Sequence, residues 1–182
     1  NWVENLLTKH KIEDARVEAE ILTAHAFNLK KPDLIIQRDR IIKPRELLPL
    51  EKALARRVQH EPTAYIIGIQ PFMSLDFFIN RSVLIPRPET ELLVEKVIEL
   101  TRATLDTSCR STSVRGIGHW TIADIGTGSG CIAISLAKNL PNISVIGIDS
   151  SAEAIKIAEK NAEHHKVADR CKFIIGNMLQ SI

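Results

Sequence analysis

The segment that most restricts the fold of this chain lies between residues 120 and 131, where a β-rich stretch gives way to alternating glycines. Trp120, Ile122 and Ile125 suit a buried strand. The glycines at 126, 128 and 130 let the backbone turn tightly and approach a ligand more closely than any Cβ would permit. Apolar residues then recur at helical spacing, so the segment predicts a strand, a tight turn beside a ligand, and a helix.

The spacing of the glycines separates two classes of nucleoside cofactor. A dinucleotide-binding loop reads G-x-G-x-x-G and holds a pyrophosphate at the helix N-terminus. Here the third glycine comes one residue earlier, and Asp124-Ile-Gly-Thr-Gly-Ser-Gly is typical of loops that bind S-adenosylmethionine (AdoMet), which has no pyrophosphate. The alternative is that these glycines only connect a strand to a helix.

Two polar residues follow the next predicted strands. Asp149 comes directly after the strand 143–148, about 20 residues beyond the first glycine, where an acid commonly binds ribose hydroxyls. Dinucleotide and AdoMet sites share this acid. Asn177 follows the third strand and so lies at the same edge of a parallel sheet. Its amide either binds an adenine ring or caps a turn.

Composition sets broad limits on the class of protein. The 182 residues, 45% hydrophobic and 25% charged, indicate one or two globular domains. A net charge of +2 does not indicate a nucleic-acid partner, and we interpret the interrupted basic cluster at 38–45 as solvated surface. The three cysteines lack C-x-x-C spacing, which disfavours zinc and a disulfide framework and favours a reducing compartment. We expect no bound metal, membrane span or signal sequence.

The organisation of the chain predicts an α/β fold in three parts. Residues 1–60 form a small helical bundle, with Pro32 and Pro44 at or near first turns and with His10, His25 and His60 outside any site. Residues 61–85 form a β-hairpin connector made from Tyr65–Ile69 and Phe72–Ile79.

Residues 86–182 are predicted to begin with a helix at 89–103, whose apolar face comprises Leu92, Leu93, Val97 and Leu100, followed by a flexible polar insertion at 104–118. Strands at 120–125, 143–148 and 172–176 then alternate with helices at 130–140 and 151–164. This order predicts the N-terminal part of a doubly wound, Rossmann-like parallel sheet with its ligand above the carboxyl ends of the strands.

Four motifs together resemble the HemK/PrmC family. They are Glu61-Pro-Thr-Ala-Tyr-Ile-Ile-Gly, Ile85-Pro-Arg-Pro-Glu-Thr-Glu, the Asp124 glycine loop and Gly176-Asn-Met. The Ile85 motif is highly specific, although by itself Arg87 between two prolines is also consistent with a rigid surface arginine. The resemblance implies a class I AdoMet-dependent methyltransferase that modifies the side-chain amide nitrogen of the glutamine in the Gly-Gly-Gln motif of a peptide-chain release factor.

The resemblance also implies a set of cofactor-binding residues. The loop would line the methionine and ribose of AdoMet, Asp149 would bind the ribose hydroxyls, and the residues after the third strand would lie by the adenine. The family often has an acid and an aromatic residue at the last two positions, so adenine contacts would be rearranged here. The implied residues are Gly126, Thr127, Gly128, Ser129, Gly130, Asp149, Asn177 and Met178.

The resemblance extends to partners and place in the cell. It implies a release factor as the protein partner, recognised by the helical bundle, with no direct nucleic-acid or membrane partner and a monomeric state. Bacterial members are cytoplasmic and eukaryotic ones with this bundle are mitochondrial, and the Ser/Thr-rich insertion favours the latter.

The family places the glutamine with an Asn-Pro-Pro-Tyr motif after the fourth strand, and the sequence contains no such motif. We therefore name no catalytic residue and expect residues 1–182 alone to be truncated and inactive. Three alternatives remain open: an N6-adenine type methyltransferase acting on nucleic acid, a noncatalytic fragment that binds release factor, and an NAD-dependent oxidoreductase, which the glycine spacing disfavours.

Overall fold

The computed structural model describes residues 2–108 and 120–178. The chain divides into two compact units, Asn1–Gly68 and Ile69–Ile182. The α/β fold class is confirmed, because helices come first and a parallel three-stranded sheet follows. The three-part division at residues 60 and 85 stays a prediction.

The first unit is helical. Proline begins α4 and is the second residue of α3, as predicted, because its fixed φ suits a first turn and its missing N–H costs little there. Apolar side chains from α1, α2, α4 and α5 form its core, including Leu7, Leu22, Leu50 and Ile66. The helices are α1 (Trp2–Lys9), α2 (Ala15–Ala26), α3 (Lys31–Ile36), α4 (Pro44–Arg57) and α5 (Thr63–Ile67).

Ion pairs fasten α4 to its neighbours in this unit. The Arg57 Nε lies 2.9 Å from Glu18 Oε2 on α2, and the same carboxylate accepts from the Thr63 hydroxyl on α5. Arg56 donates twice to Glu61, each bond 2.7 Å long. The first residue of the Glu61 motif therefore stabilises the turn between α4 and α5.

The expected strand at Tyr65–Ile69 is wrong for its first three residues, which belong to α5. Pro62 has φ −55° and presets the helix start, while Gly68 takes φ 80° and donates its N–H to Ala64 O at 2.8 Å. This left-handed C-terminal glycine stops the helix, so the first strand begins only at Ile69.

The second unit opens with a hairpin, as predicted, but the predicted strand Phe72–Ile79 is wrong for its first three residues, because Phe72 ends the first strand and the turn follows it. Strand β1 (Ile69–Phe72) pairs antiparallel with β2 (Leu75–Phe78). The two turn residues, Met73 and Ser74, have φ of 49° and 59°, as a tight hairpin turn requires. The Met73 N–H donates to Glu91 Oε1 at 2.6 Å, so the Ile85 motif supplies a side chain that holds this turn.

Helix α6 (Glu89–Ser108) differs from its prediction in two ways. It runs five residues past position 103, into the insertion expected at 104–118, and 109–118 of that insertion lie outside the described residues. Its predicted apolar face is also wrong, because Leu92 is 68% exposed and Leu93 and Leu100 are more than half exposed. Among the side chains of α6 that the structure describes, the buried ones are those of Val94, Ile98 and Thr101, which lie on a different face of the helix.

The sheet elements match the predicted bounds to within one residue. They are β3 (Trp120–Ile125), α7 (Cys131–Asn139), β4 (Ile143–Asp149), α8 (Ala152–His164) and β5 (Cys171–Ile175), with strand order β3-β4-β5. Ile125 pairs with Ile148, and Asp149 with Ile175, so the carboxyl ends of all three strands share one edge.

The predicted burial of β3 is wrong. Trp120 is 44% exposed and Ile125 is 43% exposed, whereas Val145 in β4 is fully buried. Among the described strands, β3 pairs only with β4, while β4 is paired on both sides.

Among the described residues, no helix combines the length and apolarity that crossing a membrane requires.

Candidate functional site

The loop after β3 is a surface of backbone atoms folded over the end of β4. Gly126, Gly128 and Gly130 have φ of 77°, 55° and 78°, the left-handed region in which side chains are strained. The N–H groups of Gly126 and Thr127 both donate to Ile148 O, at 2.7 and 2.9 Å. A Cβ at Gly126 would meet no atom within 4 Å, so this end of the loop faces open space.

Gly130 and Gly147 allow close packing. A Cβ at Gly130 would lie 3.0 Å from Ile134 Cδ1 and 3.1 Å from Ala158 Cβ, so the lack of a side chain at Gly130 lets α8 approach α7. Gly147, which the sequence interpretation missed, admits the Phe173 ring, since a Cβ there would lie 2.5 Å from Cδ1 of that ring. The one sequence signal for this role of Gly147 is that a glycine lies inside a strand rich in β-branched residues.

Asp149 ends β4 beside this loop. Its Oδ2 accepts the Gly128 N–H at 2.9 Å, and its Oδ1 accepts the Ser151 N–H at 2.9 Å. Each carboxylate oxygen carries a second lone pair and can accept a further hydrogen bond. The structure therefore brings the predicted ribose-binding acid into contact with the glycine loop and leaves it able to accept from hydroxyl groups.

Asp124 is an acid of a different kind, because it is only 8% exposed. Burial raises its pKa, the nearby charge of Asp149 raises it further, and a 2.7 Å hydrogen bond from the Thr127 hydroxyl opposes the rise. The Thr127 side chain is thus directed to Asp124. Only the backbone of Thr127 contributes to the loop surface that the sequence predicts for the cofactor.

The Ser129 side chain is buried, and its carbonyl accepts from Asn161 Nδ2 at 2.8 Å. The neighbouring Cys131 is also buried, and burial raises the pKa of its thiol to about 11. Burial likewise raises the pKa of Cys171 to about 11. Both thiols are free, and both stay protonated at neutral pH, which makes them poor nucleophiles.

The residues after β5 lie at the same edge of the sheet. The Gly176 N–H donates to Asp149 O at 2.9 Å and so joins the end of β5 to the end of β4. Asn177 and Met178 follow with exposed side chains, Met178 at 69%. Their contact with adenine stays a prediction, as do the ligand contacts of the loop and of Asp149.

Several side chains near the site escaped the sequence interpretation. Asn161 on α8 is fully buried, and Glu91 holds the hairpin turn. The signal for Asn161 was a polar residue in register with Ala154 and Ala158 on the apolar face of its helix. Within residues 2–108 and 120–178, no cluster of three or more His, Cys, Asp or Glu side chains is placed to hold a metal.

A parallel sheet with a glycine loop after one strand and a carboxylate after the next defines a class of α/β domains that bind nucleoside cofactors. Residues 118–182 match the family model of a methyltransferase domain, and residues 1–68 match that of the PrmC N-terminal domain. These two matches confirm the resemblance to the HemK/PrmC family, the first through its N-terminal domain and the second through a methyltransferase domain.

Curated relatives agree with these matches. The chain is 42% identical over 187 residues to a bifunctional methyltransferase of Rickettsia typhi, covering 100% of this chain and 36% of the relative. It is 38% identical over 165 residues to a release factor glutamine methyltransferase of Geobacter sulfurreducens, covering 91% and 53%. The chain thus spans between about a third and about half the length of these relatives.

Among solved structures, the chain resembles an RNA methyltransferase of Salinibacter ruber in complex with S-adenosyl-L-homocysteine. The two share 27% identity at a TM-score of 0.39, over 53% of each chain. A TM-score this low does not establish a common fold, so the fold assignment depends on the strand order and the family models.

Proposed function

We propose that the chain carries the cofactor half of an AdoMet-dependent methyltransferase whose acceptor is the side-chain amide nitrogen of the glutamine in a release factor's Gly-Gly-Gln motif. The observation that supports this most is the hydrogen bond of Gly128 to Asp149, which joins the glycine loop to an acid with spare acceptor capacity. The relatives named release factor glutamine methyltransferases support the choice of acceptor.

The described residues fit AdoMet by their chemistry. AdoMet supplies a methyl group activated by a sulfonium sulfur. Asp149 accepts from ribose hydroxyls, and the open backbone around Gly126 receives the sugar and the amino-acid tail, which need no pyrophosphate clamp. Asn177 and the thioether of Met178 contact the adenine, since a thioether packs well against aromatic rings.

The acceptor half of the reaction makes separate demands. The nitrogen of an amide is a weak nucleophile because its lone pair is delocalised, so the enzyme must orient the amide and accept hydrogen bonds from its NH₂ group. The sequence contains no Asn-Pro-Pro-Tyr motif to do this. We infer that residues 1–182, tested alone, bind AdoMet but do not catalyse methyl transfer.

The partner follows from the same proposal. The helical unit recognises the release factor, the protein acts as a monomer, and neither nucleic acid nor a membrane is a direct partner. The compartment is the cytoplasm in a bacterial source and the mitochondrion in a eukaryotic one. Capture of release factor by immobilised residues 1–68 would support this role for the helices, and its failure beside capture by the whole chain would count against it.

Methyl transfer can be followed with isotopically labelled AdoMet and a purified release factor. We expect this chain, joined to a segment that carries an Asn-Pro-Pro-Tyr motif, to place one methyl group on the Gly-Gly-Gln glutamine, located by mass spectrometry. A release factor with Gln→Ala at that position is the control and should remain unlabelled. Label recovered in DNA or RNA would instead support the amino methyltransferase of nucleic acids.

A further inference from the structure

Asn161 connects three parts of the second unit that are far apart in sequence. Its side chain is fully buried on α8. Its Oδ1 accepts the Phe78 N–H at 2.8 Å, and its Nδ2 donates to Phe78 O at 2.9 Å and to Ser129 O at 2.8 Å. A single amide therefore fastens hairpin strand β2 and the glycine loop to the same helix.

The cost of leaving a buried amide unpaired makes the Asn161 side chain depend on all of its partners. A buried amide group costs about 1–3 kcal/mol for each partner it loses, so the side chain is stable only while strand and loop both keep their positions. The other buried residues of α8 are apolar, namely Ala154, Ile155, Ala158 and Ala162. Among these five residues, Asn161 alone carries side-chain groups that can bond the loop backbone.

The bonded carbonyl lies at a critical point of the loop. Ser129 sits between Gly128, whose N–H bonds Asp149, and Gly130, against which α8 packs closely. The Ser129 carbonyl and the Gly128 N–H belong to peptide groups with one other between them, so a displacement of this carbonyl is transmitted through little backbone to the bond with Asp149. The position of Ser129 therefore bears on the geometry of the predicted cofactor surface.

We propose that Asn161 is a positioning residue for the cofactor loop, holding Ser129 against strand β2 so that Gly128 stays bonded to Asp149. The inference builds on the proposed AdoMet site. It also links Phe78 of strand β2 to the loop: a ligand that fastens the loop stabilises the Asn161 bonds to Phe78, and by reciprocity loss of those bonds lowers ligand affinity.

His165 provides a matched control. Its Nε2 bonds Asp76 O at 2.9 Å and its ring lies against that of Phe77, tilted by 49° with centroids 5.0 Å apart, so it also ties the hairpin to this end of α8. The bonds and ring contacts of His165 do not involve the glycine loop. His165→Ala should therefore loosen the hairpin and lower Tm while leaving the loop in place.

The test compares Asn161→Ala, the milder Asn161→Ser and His165→Ala. Calorimetry with AdoMet and amide hydrogen exchange at Gly128 and Gly130 are measured for each, together with Tm. We expect both Asn161 variants to weaken AdoMet binding by about tenfold or more and to speed exchange at the two glycines. His165→Ala should change affinity by less than about twofold, even at a similar loss of Tm.

Asn161 variants that bind AdoMet like the wild type, with unchanged glycine exchange, would overturn the proposal. A wild type that binds no AdoMet would refute the proposed function, and glycine exchange in the variants would still decide the role of Asn161. If the variants do not fold, hydrogen exchange of the wild type tests the link instead. Saturating AdoMet should slow exchange of the Phe78 N–H, which donates to Asn161, and should not slow exchange of the Met73 N–H, which donates to Glu91. Equal effects on both N–H groups would refute the link.

Discussion

The backbone N–H of Gly128 lies 2.9 Å from Oδ2 of Asp149, and this hydrogen bond joins the loop after β3 to the end of β4. Gly128 has φ 55°, in the left-handed region that glycine adopts without strain. The loop and the acid therefore form one unit, so a change in either should affect ligand binding through the other.

The two ends of the glycine loop should respond differently to alanine. Gly126→Ala carries the strain of φ 77° only, about 1 kcal/mol, while its methyl group enters the open space where the ligand would bind. Gly130→Ala adds contacts of 3.0 and 3.1 Å with Ile134 and Ala158, for a total loss of about 2–4 kcal/mol. Urea unfolding should rank Gly130→Ala as the less stable variant, and the reverse order would contradict this division of roles.

Buried Asp124 should make stability depend on pH. Its pKa is raised above the ordinary 3.8, so between these two values the folded state holds more protons than the unfolded state. The free energy of unfolding therefore falls as pH rises through that range and levels off above the raised pKa.

Asp124→Asn removes this titration. Its stability relative to the wild type should increase from about pH 4 towards neutral pH, as followed by urea unfolding. Asp169→Asn, an exposed acid changed in the same way, is the control for the loss of one negative charge. A difference between Asp124→Asn and the wild type that stays constant with pH would show that folding does not change the pKa of Asp124.

The two described cysteines should resist thiol reagents. Burial raises the pKa of Cys131 and Cys171 to about 11, so at pH 8 very little thiolate is present and access is restricted. In a Cys109→Ser variant, we expect slow reaction with a disulfide reagent in buffer and rapid reaction of both thiols in urea. Rapid labelling of the folded variant would place a thiol in solvent.

The Glu91 side chain should stabilise the hairpin turn. Glu91→Gln weakens a charged acceptor for the Met73 N–H and should cost about 1 kcal/mol in thermal unfolding. Glu95→Gln, one helical turn further along α6 and exposed, is the matched control and should be neutral. Equal effects would mean that loss of negative charge, rather than loss of the turn contact, is responsible.

The sequence was most informative where local periodicity and glycine chemistry decide the structure. Alternating elements from Trp120 to Ile175 were predicted to within one residue, because strand and helix periods differ clearly there. The acid at Asp149 was found by its distance from Gly126, which reflects the length of a strand-helix-strand unit.

Long-range packing decided the features that were missed. Helix α6 carries two apolar rows at helical spacing, one containing Leu92 and the other Val94 and Ile98, and only tertiary contacts determine which row is buried. The bonds of Asn161 to Phe78 span 83 residues, a separation on which no local pattern bears. Trp120 fits a strand by propensity, but its exposure depends on which neighbours the sheet provides.

The central claim is that the loop and Asp149 form an AdoMet site, and calorimetry with AdoMet and with NAD tests it most directly. We expect AdoMet to bind, NAD to give no detectable heat, and Asp149→Asn to weaken AdoMet binding by about tenfold or more. Glu153→Gln, an equal change of charge on the exposed first turn of α8, should leave affinity unchanged. Binding of NAD, or AdoMet affinity that survives Asp149→Asn, would contradict the claim.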